Sequence, residues 1–182
     1  MAPKNEAPIF YFAYGSDMNS DQIVSRCDHS KFISVARLPD HKISFFGHSD
    51  RWDGGLESLL EQPGESIFGV VYEVSCNDVD YLDVFHAARL DGTGIYFQFP
   101  VDVIGENGTV YPAFTYKKST LGDFKAPSKE YLDYIINSAA SHALPCDYLD
   151  KLSKYETKNA GYPVPKKNSL TKALLASQSC SC

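Results

Sequence analysis

The run Ser66–Val74, SIFGVVYEV, is apolar, β-branched or aromatic at most positions and shows no polar–apolar alternation. A strand of this kind is covered on both faces and belongs in the middle of a sheet. The rest of the chain must therefore supply neighbouring strands and layers to cover them. At 182 residues it is long enough to do so as one domain, without metal or disulfide staples.

Further strand-like runs are present. Ile9–Ala13 is a short aromatic run between Pro8 and Gly15. Residues 32–37 and 42–47 predict two strands joined by a turn at Leu38–His41, and residues 56–60 and 66–74 predict a hairpin turning at Pro63-Gly64. Residues 95–104 and 110–118 predict another pair, turning at Glu106–Gly108. Helices are expected at 21–26, capped by Asn19 or Ser20, and at 77–89, capped by Asn77 with Asp78 and Asp80 in the first turn. The apolar face of the second would be Val79, Leu82, Val84 and Phe85. Ser128 opens a third helix, with Tyr131, Leu132, Ile135, Ile136 and Ala139 on one side, and a fourth follows Pro145. Runs of antiparallel strands with helices at the edges give an α+β class. The expected layout is a flexible N-terminus at 1–8, one domain at 9–156 and a polar, mobile tail at 157–182.

A net charge of −6 argues against nucleic acid and against an anionic membrane surface, both of which select basic faces. No apolar run reaches the ~20 residues of a membrane span, and the opening MAPKNEAP lacks the apolar segment of a signal peptide. Five cysteines without a CxxC pair read as free thiols in a reducing compartment, which places the chain in the cytosol and leaves the sequon at Asn107 unused. Cys76 is expected to be buried and inert. His29, His41, His48 and His142 lack zinc-ligand spacing, and no glycine pattern suits a nucleotide. No cofactor or metal is expected. The expected partner is a small molecule, and the oligomeric state is left open.

The first strand runs into Tyr14-Gly-Ser-Asp-Met18 and then a helix. Gly15 is expected to take a positive φ, so that the following amides converge on an anion or a developing oxyanion. Plain turn chemistry is the competing reading.

FYFAYGSDMN resembles the opening of the γ-glutamylcyclotransferase-like family. VARLPDHKISF, GESIFGVVYEV, NDVDYLDVF and APSKEYLDYIINSAASHALPCDYLDKL are similar to four further family segments, in the same order, over residues 9–155. The resemblance implies a small mixed, largely antiparallel barrel-like sheet with flanking helices, and a pocket beside the Tyr14–Met18 loop. It implies cyclisation of a γ-glutamyl group to 5-oxoproline, with a glutamate at the end of an LDxxE helix moving the protons. Here Leu82-Asp83 aligns with that LD, so His86 stands at the glutamate's position, Ala87 replaces the expected glycine, and Asp17 stands where asparagine is usual.

Three readings follow. His86 does the proton transfers, its ring oriented by Asp83 three residues earlier on the helix. Alternatively, the pocket serves another cyclisation, isomerisation or dehydration of a small metabolite. Or the chain binds a ligand without turning it over. The resemblance also puts Tyr96 and Tyr131 at the substrate, each with core packing as the competing reading. Asp17 reads first as a turn aspartate. Glu57 is the one candidate replacement acid, although a solvent-facing strand position is the expectation for it.

Overall fold

Residues 7–166 are described in the computed structural model. Five strands close a barrel in the order β1-β3-β2-β4-β5. They are β1 Ile9–Ala13, β2 Lys31–Ser49, β3 Gly54–Val74, β4 Tyr96–Gly105 and β5 Val110–Lys118. Neighbours are antiparallel except β1 and β5, which run parallel with Phe10 opposite Ala113. The helices are α1 Ser20–Arg26, α2 Cys76–His86, α3 Lys129–Ser141 and α4 Cys146–Ser153. The Ser66–Val74 run is central as expected, paired with β1 on one side and β2 on the other.

Two expected turns are not turns. Pro39-Asp40 and Pro63-Gly64 lie inside single long strands of 19 and 21 residues. They face each other across the ladder: Pro39 pairs with Ser66 and His41 with Glu61, so the extra residues on β3 bulge out. The Asp40 carboxylate accepts from the Gly64 amide at 2.9 Å and fixes the bulge. A bulge bends and twists a paired ribbon without ending it. The β2–β3 ribbon therefore continues past the bend as a long arm whose tip, residues 50–53, hangs over one end of the barrel. Gly55 lets residues 125–126 lie across this arm, because a Cβ there would stand 2.1 Å from the Lys125 carbonyl oxygen.

The cap of α2 also differs from expectation. Ser75, not Asn77, caps the helix in a reciprocal box with Asp78. Leu82 is the buried apolar residue of that helix, whereas Val84 is half exposed and Phe85 lies beneath the Arg26 guanidinium at 4.8 Å. Residues 158–166, expected as part of a mobile tail, are bonded to the domain. Lys158 exchanges backbone bonds with the 127–129 segment, and Gly161, Tyr162 and Lys166 bond to Asp53, Asp50 and Arg51 of the arm tip. Residues 167–182, including Cys180 and Cys182, lie outside the described residues.

Cys76 is exposed, contrary to expectation, as is Cys146; Cys27 is buried. Burial, reinforced by the charges of Asp78 and Asp17, pushes the Cys27 thiol up to about 12. A thiol reagent is therefore expected to modify Cys76 and Cys146 in the native protein and to reach Cys27 only on unfolding. Peptide mapping after timed labelling checks this; modification of Cys27 at the rate of Cys76 would contradict the burial. No helix among the described residues is long and apolar enough to cross a membrane.

Candidate active site

A cavity of about 480 Å³ opens at the end of the barrel beneath the arm tip. Its walls come from the arm (His48–Trp52, Leu56, Glu57), the last turn of α2 through Ala87, the start of β4 at Ile95 and Tyr96, and Ser16, Arg26 and Tyr131. A small recess behind it is lined by Tyr14, Gly15, Asp17, Glu57, His86 and Tyr96, among others. Sequence reasoning proposed seven of these residues: Tyr14, Gly15, Ser16, Asp17, His86, Tyr96 and Tyr131. Met18 is different. It is fully buried in the core, and its carbonyl accepts from Tyr72 and bonds to the His142 ring.

His86 is the last residue of α2, and Ala87 closes the helix in the left-handed conformation, at φ 45°. That conformation costs a residue with a Cβ free energy. The imidazole is held on three sides. It stacks on Tyr116 at 4.0 Å, meets the Tyr96 ring edge-on at 5.5 Å, and its Nε2 is 2.9 Å from Asp17 Oδ2. Asp83 does not orient it. That carboxylate instead accepts from the Tyr116 hydroxyl at 2.7 Å and from the Gln98 amide, so it fixes the platform on which His86 lies.

Asp17 is 2% exposed and is the hub of the cluster. Tyr11 and Gln22 donate to it at 2.9 and 2.8 Å, and Arg26 forms an ion pair with Oδ1. Burial by itself raises the pKa of such a group. The Arg26 charge, then His86 and Gln22, outweigh burial and hold the carboxyl well below the usual range. Asp17 therefore stays ionised and is a side-chain hub, not a turn aspartate bonded to amides. An ionised carboxylate can only accept, so His86 Nε2 is the donor of this pair and Nδ1 is the ring nitrogen that Asp17 leaves free.

Gly15 has φ −115°, outside the left-handed region, so positive φ is not why glycine stands there. The reason is Glu57: a Cβ on residue 15 would lie 2.0 Å from its Oε1. The loop tightens into a 3-10 turn at Ser16–Met18, and the amides of Ser16 and Asp17 donate to no acceptor among the described residues. Unused amides in such a turn suit an oxyanion.

Glu57 is 7% exposed rather than solvent-facing, and the Tyr131 hydroxyl donates to its Oε2. The Tyr96 hydroxyl donates to the Glu57 backbone carbonyl at 2.8 Å. Burial, then the Glu57 charge, pushes both phenols far above their ordinary range, so each remains a neutral donor. Trp52 packs on the Tyr131 ring at 4.6 Å.

Arg51 went unnoticed in the sequence. It lines the cavity with its Nε buried and unpaired, and burial followed by the Arg26 charge lowers its pKa. A guanidinium remains charged under such a shift. A loop arginine carries no sequence signal of its own; it is recognisable only once the arm tip is seen folded over the cavity.

A model of the AIG2-like family matches residues 66–152. Gamma-glutamylcyclotransferase of Bos taurus is 31% identical over 152 residues, covering 81% of this chain and 79% of the bovine protein. The Homo sapiens protein of the same name is 29% identical over 156 residues, 84% of this chain and 81% of that one. A solved structure of a gamma-glutamyl cyclotransferase superposes with a TM-score of 0.79 at 26% identity, covering 94% of this chain and 99% of the other.

Proposed function

The chain belongs to the γ-glutamylcyclotransferase family, and on that premise we propose that its cavity closes a γ-glutamyl group on itself, releasing 5-oxoproline and an amine. The observation that carries the proposal is the Asp17–His86 pair, which holds the imidazole in the recess that Gly15 and Asp17 of the loop also line. In this reaction the substrate's α-nitrogen attacks its own γ-carbonyl. Ring closure is fast once both ends are held, because the entropy has already been spent in binding. The carbonyl oxygen gains charge as it is attacked, and the free loop amides are the donors for it. His86 Nδ1 then delivers a proton to the departing nitrogen. Asp17 holds the imidazolium that exists between these steps. Arg51 supplies a fixed positive charge for a carboxylate on the substrate.

The test is 5-oxoproline release from a panel of γ-glutamyl amides and peptides, with wild type and His86→Ala compared. Release by wild type and a loss of ~10²-fold or more in the variant are expected. Equal rates would remove His86 from the reaction. A silent wild type would turn the same imidazole and loop to a different cyclisation, isomerisation or dehydration of a small metabolite, the second reading that an imidazole in place of a carboxylate favours.

A further inference from the structure

Glu57 is a buried carboxylate that the fold does not neutralise. Among the described residues no lysine, arginine or histidine lies within ion-pair distance of it. Lys118 feels its charge, but the Lys118 ammonium lies over the Tyr96 ring at 4.9 Å. Oε2 accepts from Tyr131, and Oε1 rests against the Gly15 backbone. A carboxylate removed from water needs a compensating cation or several donors, and one phenol is not enough. It shares both the cavity and the recess with His86. The missing complement is therefore a cation that arrives through the cavity.

We infer that Glu57 holds the α-ammonium group of an amino-acid substrate and accepts the first proton from it. The inference rests on the cyclisation reading, and the proton inventory of that reaction requires such a group. The attacking nitrogen enters with three protons and ends in the lactam with one. The departing nitrogen starts with one, as an amide, and ends with three, as an ammonium. As the new carbon–nitrogen bond forms and the old one breaks, two protons must therefore travel. Glu57 takes the first, which makes the amine nucleophilic. The second leaves the ring nitrogen after attack and reaches the departing nitrogen by way of His86 Nδ1. Glu57 then returns its own proton to the released amine and is ionised again. This division removes a difficulty created by His86, since a cationic ring alone would repel an ammonium.

Glu57→Gln tests the idea, because the amide keeps the side chain's size and still accepts from Tyr131. Two probes that do not cyclise readily, L-glutamate and glutarate, differ in the α-amine and are titrated calorimetrically into both proteins. Wild type is expected to bind L-glutamate at least ~10-fold tighter than glutarate, and Glu57→Gln to erase that preference. Absence of a preference in wild type, or a preference that survives the substitution, overturns the inference. Release of 5-oxoproline from γ-glutamyl amides is followed in parallel and is expected to fall ~10²-fold. A silent wild type that retains a Glu57-dependent preference refutes the cyclisation reading alone. Full turnover by Glu57→Gln refutes the role of Glu57 alone.

Discussion

Asp17→Asn is expected to destabilise the protein by about 3 kcal/mol at pH 7, because it leaves the Arg26 guanidinium without its counter-charge in a buried setting. The side chains of Arg26 and Asp17 are 9% and 2% exposed, so water screens the pair little. The pH dependence follows from the direction of the shift. The folded protein holds the Asp17 carboxyl below its unfolded value, so its contribution is complete above the ordinary carboxylate range and is lost as the pH falls through the depressed folded value. Urea unfolding at pH 7 and at about pH 3 should therefore show a wide gap between wild type and variant that narrows in acid. A gap that stays constant or widens in acid would mean that the charge of Asp17 is not what stabilises the fold. The same substitution should slow turnover, since His86 Nε2 loses its anionic acceptor at 2.9 Å. A companion experiment addresses the inheritance of the pair. His86→Glu alone sets two carboxylates against each other, whereas His86→Glu combined with Asp17→Asn reproduces the asparagine and glutamate that relatives of this kind are expected to carry, and should be the better folded of the two.

The legibility of the fold tracked how local each signal was. The runs that became β1, β4, β5, α3 and α4 carry their own periodicity and their own turn or cap residues, and each was found close to where its pattern predicts. Pro39-Asp40 and Pro63-Gly64 misled because the same residues that make turns also make bulges. What separates the two outcomes is the partner strand: paired across a ribbon, the extra residues bend it without reversing it. The cap of α2 was readable, since Ser75 and Asp78 have capping-box spacing, but Asn77 competed for the role.

The site divides the same way. His86 stands out in the sequence because it interrupts a linear motif, and its company of Asp17, Tyr96 and the loop follows from what β1, α2 and β4 bring to one end of the barrel. Glu57 was misjudged because strand alternation tells inside from outside only when one face is wet. Residues 57, 58 and 59 are all buried, because the arm is covered on both sides. Asp83 was misjudged for the opposite reason: neighbours on a helix suggest a contact, but the Tyr116 hydroxyl from β5 reaches that carboxylate instead.

Gly15→Ala should separate the loop from the carboxylate it accommodates. The φ of −115° lies outside the left-handed region, and the three nearest atoms to the added Cβ all belong to Glu57. The nearest obstacle is therefore a side chain that can swing away. Moving it costs the Tyr131 hydrogen bond and re-buries a charge, a penalty of roughly 2 kcal/mol. In a Glu57→Ala background that obstacle is gone, so the same glycine substitution should cost less than about 0.5 kcal/mol. Unfolding of the four proteins in this cycle measures the coupling, and the L-glutamate preference of Gly15→Ala should be lost along with the displaced carboxylate. Equal costs in both backgrounds would assign the glycine to the loop's own conformation. Unequal costs would show that the glycine is there to leave room for an acid, and that loop and acid work as one unit in the site.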